Sequence, residues 1–342
     1  MTAKPRTADL RPSRRIEGRP RVFVTRRLLP ETEARMAELF DTTFNPDDRP
    51  LSRAALAEAL QQAHVLVPTV TDTIDTDLIT GAGPQLGLIA NFGAGTEHIA
   101  LAAARARKIP VTNTPGVFTD DTADMTMALI LSVTRRLNRG GRILRSGQWQ
   151  GWSPSTLLGH RVGGKVLGIV GMGRIGQAVA HRARAFGLSV VYNSRHRVPE
   201  ALETMLAARY EPDLDRLVAE ADIITLHCPA TPETHHLIDA RRIALMKPDA
   251  MIINTARGQI VEEPALISAL IEGRLGGAGL DVFEHEPQVD QRLRDHLNVA
   301  ILPHMGSATF EGRIASGEKV IANIRFWADG HRPPDQVLEG WA

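Results

Sequence analysis

One cysteine, Cys228, stands in a chain of 342 residues, so an internal disulfide is excluded and a reducing, cytoplasmic setting is expected. A thiol nucleophile would need a His/Asp arrangement around it, and none is apparent near Cys228. A small residue at a strand end is the plainer reading. Neither sign of charge dominates: 40 basic side chains face 39 acidic ones, leaving no net field to recruit nucleic acid or a membrane surface. Long apolar runs are missing too. The longest, such as Val166–Val170, are strand-sized and far short of a membrane span. The first 19 residues carry Lys4, Arg6, Arg11, Arg14, Arg15 and Arg19 with Pro5 and Pro12, without the apolar core of a secretory signal. A flexible tail over 1–19 is expected there, with an Arg-rich transit peptide as the alternative. No bound metal is expected.

What is present is the make-up of a globular protein, 43% hydrophobic and 23% charged, at a length that suits two domains. From Arg21 onward, short β-branched runs alternate with helical patterns. Val22–Val24, Val65–Val67, Leu86–Asn91 and Val111–Thr112 read as strands. Helices are expected over 31–39, over 54–61 behind the capping Ser52, and over 97–107. A long helix, 120–137, presents Met125, Ala128, Leu129, Leu131 and Ser132 on one face and ends in Arg135, Arg136 and Arg139. A Gly/Trp/Pro-rich loop, 147–159, leads to a second series with strands at 165–170, 189–192, 222–226, 250–254, 277–280 and 300–302. A last helix, 308–328, is long enough to return to the first domain. Such βα alternation predicts parallel sheets covered by helices on both faces.

Gly171-Met172-Gly173-Arg174-Ile175-Gly176 follows the strand 166–170 and opens a helix. This is the context in which G-x-G-x-x-G marks a dinucleotide site. The first glycine makes the turn, the second admits the pyrophosphate, and the third lets helix and strand pack closely. The helix N-terminus adds N–H donors and positive potential for the anion. About 20 residues on, NAD-binding chains place an acid for the ribose hydroxyls. Here Tyr192 is followed by Asn193-Ser194-Arg195-His196-Arg197, with no acid before Glu200. Ser194 with the forks of Arg195 and Arg197 suits the 2′-phosphate of NADP(H). A solvated basic loop in an NAD(H) enzyme is the alternative.

Three further segments sit at strand ends, where ligands gather in open α/β sheets. They are Asn254-Thr255-Ala256-Arg257-Gly258, Asp281-Val282-Phe283-Glu284-His285-Glu286-Pro287, and Pro303-His304-Met305-Gly306-Ser307. Together they offer a cation for a substrate carboxylate, a histidine to donate a proton, and an acid to keep that histidine charged.

On these motifs, over roughly 21–328, the chain resembles the D-isomer-specific 2-hydroxyacid dehydrogenases, and among them the glyoxylate/hydroxypyruvate reductases. The resemblance implies a flavodoxin-like substrate domain over 20–118 plus 305–335, with a Rossmann domain for NADP(H) inserted at 119–304. Arg257 would bind and polarise the substrate, Glu286 orient the histidine, and His304 donate or accept the proton. Asp281 would bind the nicotinamide carboxamide, with Thr255 and Ala256 bordering the ring. His227-Cys228-Pro229 would pass beneath the adenosine with Thr234 nearby, and Thr122 and Gly306 would be further cofactor contacts. Backbone donors of Ala94 and Gly95 in the turn 92–96 would hold the substrate carboxylate. Trp152, with Trp149 in the same loop, would reach a neighbour's substrate across a homodimer; a Trp merely packed on its own chain is the other reading.

Glu286 stands where formate-oxidising relatives have Gln, which disfavours formate. The implied reaction is reduction of glyoxylate or hydroxypyruvate to glycolate or D-glycerate. The alternatives are a D-lactate, bulky 2-oxo acid or phosphoglycerate dehydrogenase of the same family, or a nucleotide-sensing corepressor that binds partner peptides.

Overall fold

A computed structural model describes residues 16–338; the tail expected over 1–19 lies outside the described residues except for 16–19. Two compact units share the chain, one reaching Phe118 and resuming at Thr309, the other spanning Thr119–Ala308. The return comes at Thr309 and not at 305, because the backbone N–H groups of Met305 and Gly306 both donate to Asp281 and tie that stretch to the second unit.

The first unit holds a parallel sheet of five strands among the described residues: β1 (Arg21–Val24), β2 (Asp41–Phe44), β3 (Val65–Val67), β4 (Leu88–Ala90) and β5 (Val111–Thr112). Its order, β2-β1-β3-β4-β5, is the flavodoxin-like winding. β3 and β4 are buried along their whole length, as a strand covered on both faces must be. The helix Phe310–Ala328, capped by the Thr309 hydroxyl, packs on the helix Pro30–Leu39 and buries Trp327 against Gly87.

The second unit holds seven parallel strands: β6 (Val166–Val170), β7 (Ser189–Asn193), β8 (Ala208–Tyr210), β9 (Ile223–Leu226), β10 (Met251–Asn254), β11 (Gly277–Leu280) and β12 (Val299–Ile301). The order β12-β11-β10-β9-β6-β7-β8 winds outward in both directions from β6, the Rossmann arrangement. No helix among the described residues is long and apolar enough to cross a membrane.

Several elements depart from expectation for local reasons. β2 and β8 are edge strands with mixed burial, so neither carries an apolar run to announce it. The helix Thr76–Gly81, opened by Asp75, is likewise too short to show a period. The expected helix over 97–107 begins only at Leu101, because Ile74 pairs with the backbone of His98 and Ala100 and keeps that stretch extended.

The long helix expected over 120–137 is two helices, Thr119–Thr134 and Leu137–Arg145. They break where Arg136 turns left-handed (φ 54°) and the Thr134 carbonyl accepts His160 N–H at 2.8 Å. On the first of them Leu129 is buried as expected, but the rest of the buried face runs through Ala123, Thr126, Met127, Ile130 and Val133, not through Met125 and the exposed Ala128.

Candidate active site

The register of the second sheet puts the sequence-picked residues in one row. Val170 lies level with Asn193 and Leu226, Leu226 with Asn254, and Asn254 with Leu280. The residues that follow these positions therefore emerge along one sheet edge: Gly171, Ser194, His227, Thr255 and Asp281. The winding reverses between β6 and β9, which opens the crevice where open α/β sheets take ligands.

At that crevice Gly171 adopts φ +100°, and a Cβ there would lie 2.6 Å from Cys228 N and 2.7 Å from His227 C. The turn thus presses directly on the end of β9. Gly176 is equally constrained, since its Cβ would meet Gly171 O at 2.2 Å. Around Gly173 nothing lies within 4 Å, so the protein itself does not require glycine there. An incoming group would explain it. Gly173 caps the helix Arg174–Ala185 without any side-chain cap, which leaves first-turn N–H groups available to an anion. These features fit a dinucleotide pyrophosphate. His227 is neutral, its pKa pushed down to about 3 by burial, and its Nε2 pairs with Thr225 Oγ1 at 2.9 Å. Burial pushes the Cys228 thiol up to about 11, so it remains an inert thiol. Thr234 holds the turn after β9 by donating to Pro229 O at 2.7 Å and accepting Thr231 N–H at 2.8 Å.

Beyond β7 the basic loop is not uniformly available. The Arg197 fork is taken by Glu203, with Nε–Oε1 2.9 Å and Nη2–Oε2 2.7 Å, and Glu203 also accepts the Tyr192 hydroxyl at 2.5 Å. The guanidinium and the hydroxyl hold Glu203 down at about 2, while burial and this carboxylate push Tyr192 up to about 12. Arg197 is thus not the free phosphate partner that its place in the sequence implies. Asn193 spends its amide on the Glu211 and Pro212 carbonyls, at 2.9 and 3.1 Å. The Ser194 hydroxyl donates to His196 O at 2.6 Å. Arg195 is exposed and makes no hydrogen bond or ion pair to a described residue.

At the other end of the row, Asn254 shapes the turn that carries Arg257. Its amide donates to Arg257 O at 2.8 Å and its oxygen accepts Ala256 N–H at 3.0 Å. Thr255 is buried and paired with Thr126 at 2.9 Å. Gly258 touches the next loop so closely that a Cβ would sit 1.9 Å from Phe283 C. Half-buried Arg257 is thereby kept near Glu286.

His304 Nδ1 lies 2.8 Å from Glu286 Oε2, and Glu286 Oε1 accepts Phe283 N–H at 3.0 Å. Burial alone would raise the Glu286 pKa, but His304, the Phe283 N–H and Arg257 outweigh it and leave the carboxyl below its ordinary value. An ionised carboxylate only accepts, so Nδ1 carries a proton and Nε2 faces away from Glu286, free for exchange. His304 sits in the left-handed region (φ 51°), which costs a non-glycine residue roughly 1–2 kcal/mol. Asp281 holds it there. Its buried carboxylate accepts Met305 N–H and Gly306 N–H, each at 2.7 Å, and its carbonyl accepts His304 N–H at 2.8 Å. Burial raises the Asp281 pKa against those two backbone bonds. Thr122 reaches Gly306 O at 3.4 Å from the helix Thr119–Thr134.

In the first unit, side chains turn the carbonyls of the 92–96 loop inward. Asn91 Nδ2 donates to Gly93 O and Gly95 O at 3.1 and 2.8 Å, and Asn113 Nδ2 to Ala94 O at 2.7 Å. Among the described residues nothing accepts from Ala94 or Gly95 N–H, so this turn offers donors for an anion. Asn91 and Asn113 were not singled out in the sequence, where a lone Asn carries no such signal. Trp152 is 84% exposed and Trp149 56%, so its own chain leaves Trp152 largely uncovered and covers Trp149 only in part.

Residues 127–306 match the family described as D-isomer specific 2-hydroxyacid dehydrogenase, NAD binding domain. A glyoxylate reductase of Thermococcus litoralis is 45% identical over 324 residues, covering 93% of this chain and 97% of that protein. The crystal structure of a glyoxylate reductase from Paecilomyes thermophila superposes with a TM-score of 0.84 at 30% identity, covering 94% of this chain and 99% of the other. That of an NADPH-dependent glyoxylate/hydroxypyruvate reductase from Sinorhizobium meliloti, in complex with NADP and malonate, gives 0.82 at 32% identity, covering 94% and 98%.

Two stability tests follow from these contacts. Gly258→Ala should destabilise the protein by about 1–3 kcal/mol through the forced separation from Phe283, whereas Gly173→Ala should lower the denaturation midpoint little. Equal effects in chemical denaturation would contradict the close-approach account. For Glu203, the folded value of about 2 lies below its ordinary 4.5, so its stabilising contribution is complete above about 4.5 and is lost as pH falls towards 2. Glu203→Gln should therefore flatten the acid limb of stability against pH across that window. An unchanged slope would refute the assignment.

Proposed function

Because the chain belongs to the D-isomer specific 2-hydroxyacid dehydrogenase family, we propose that it reduces small 2-oxo acids, glyoxylate and hydroxypyruvate foremost, to glycolate and D-glycerate with NADPH. The observation that carries this reading is the 2.8 Å pair of His304 and Glu286 on the same strand-end row as the G-x-G-x-x-G turn. The nicotinamide cofactor, when bound, supplies the hydride that reaches carbon 2 of the acid. Gly171, Gly173 and the first turn of the helix Arg174–Ala185 would hold its pyrophosphate, with His227–Pro229 and Thr234 beneath the adenosine. Thr122, Thr255, Ala256 and the remaining lone pairs of Asp281 would face the nicotinamide end.

His304 gives the Nε2 proton to the carbonyl oxygen, so one hydride and one proton convert the 2-oxo to the 2-hydroxy acid. Glu286 acts through His304, keeping Nδ1 protonated and stabilising the imidazolium that must exist before donation. Arg257 pairs with the substrate carboxylate and polarises the carbonyl through its planar fork. Ala94 and Gly95, whose N–H groups meet no acceptor among the described residues, are the first unit's candidate donors to a carboxylate.

The preference for NADPH rests on the absence of an acid between Tyr192 and Glu200 and on Arg195, which makes no hydrogen bond or ion pair to a described residue. Homodimer formation is proposed from the helix Leu137–Arg145, which buries no residue and exposes Leu144, and from the exposed Trp149, Trp152 and Leu158 that follow it. On this reading Trp152 reaches the partner's substrate.

NADPH oxidation measured with a panel of 2-oxo acids should give the highest kcat/KM on glyoxylate or hydroxypyruvate. Turnover of none of them would sink the enzymatic reading, and faster turnover of a bulky acid would reassign the substrate. Arg195→Asp should lower the NADPH/NADH ratio of kcat/KM by roughly 10- to 100-fold, the scale of one charge-assisted hydrogen bond. Arg197→Ala should leave the ratio nearly unchanged, and the opposite ranking would overturn the phosphate assignment. Sedimentation equilibrium should find the native chain dimeric and Leu144→Asp monomeric; a monomeric native chain would contradict the dimer.

A further inference from the structure

Outside the row of residues assigned to the reaction, the second unit gathers one other set of side chains able to ligate a metal. His235 and His236 are neighbours in sequence, and their rings stack with centroids 3.9 Å apart and planes tilted by 31°. Glu284, from the loop after β11, places Oε1 2.7 Å from His236 Nε2. One ligand atom from each of the three residues falls within 4.8 Å of the others. Nothing in the sequence announces the group, because Glu284 lies 48 residues beyond His236.

Two imidazoles and a carboxylate form a donor set that zinc accepts, with three protein ligands and a fourth position left to solvent. Tetrahedral zinc, with bonds of about 2.1 Å, sets its donors roughly 3.4 Å apart. The close His236–Glu284 pair need open only slightly to admit the ion. His235 is exposed, so its ring can swing in without disturbing the core. The other two ligands are anchored. His236 N–H donates to Gln259 O at 2.8 Å, Glu284 N–H donates to Glu263 Oε2 at 3.1 Å, and Glu284 Oε2 accepts Glu263 N–H at 3.3 Å.

We propose that His235, His236 and Glu284 bind one divalent transition-metal ion of the zinc type, which staples the 231–236 turn to the 283–286 loop. Gln259 Nε2 donates to Glu284 O at 3.1 Å, so the segments behind Arg257 and Glu286 are held by the same group. The ion takes no part in the reaction; it stiffens the support of the residues that do. Metal bound to the folded state alone raises the unfolding temperature by mass action.

The test uses the untagged full-length chain, stripped by a chelator, saturated with NADPH and titrated with zinc, with NADPH alone as the blank. One ion per chain should bind in the micromolar range or below and raise Tm. Cobalt should bind in its place with the intense visible absorption of a four-coordinate nitrogen/oxygen site. His235→Ala, at an exposed position, should leave metal-free turnover unchanged and weaken zinc binding at least roughly tenfold. Glu284→Gln should weaken zinc binding to a similar degree. No binding, a six-coordinate cobalt spectrum, or affinity that survives either substitution would overturn the site.

Discussion

The candidate site around His304 depends on one buried carboxylate. Asp281 is almost fully removed from solvent, and a charge in that position is tolerable only with hydrogen bonds to both oxygens. The chain supplies them from the backbone of Met305 and Gly306. That grip holds His304 in a left-handed conformation it would not adopt alone and points its ring at Glu286. The strain is local, and the two bonds that offset it come from the neighbouring residues themselves.

The same economy of backbone contact brings the other elements together. Gly171 lets the glycine-rich turn press on the end of β9, and Gly258 lets the Arg257 turn press on Phe283. Parallel register then converts sequence-distant strand ends into a single row. Positions spread over more than a hundred residues thereby act on one small acid in the proposed reaction. The histidine's proton, the arginine's fork and the glutamate's charge each have a stated partner.

Much of the architecture was legible because the central strands are short apolar runs punctuated by turn residues, and because G-x-G-x-x-G between a strand and a helix has few other meanings. The edge strands β2 and β8 carry no apolar run to mark them, because part of each faces water. The break at Arg136 has no local mark either, because its cause, the His160 N–H on the Thr134 carbonyl, comes from a loop a helix-length away. At the site, the residue types of Arg257, Glu286 and His304 pointed to their chemistry, and the structure brings the last two into hydrogen-bond contact. The sequence offers Arg197 to a phosphate because no local pattern shows that Glu203, one helical turn into the next element, folds back beneath Tyr192 to claim it. The 92–96 turn is similar: Ala94 and Gly95 were visible in sequence, but Asn91 and Asn113, which engage its carbonyls, were not.

The central claim is that Glu286 contributes to turnover only through His304. A double-substitution cycle on kcat/KM, with His304→Ala, Glu286→Gln and the two combined, tests it most directly. Residues that act as one unit are non-additive, so the double variant should be no slower than His304→Ala alone, with cofactor affinity unchanged throughout. Losses that multiply would mean that Glu286 acts on the substrate independently, and the account would be wrong.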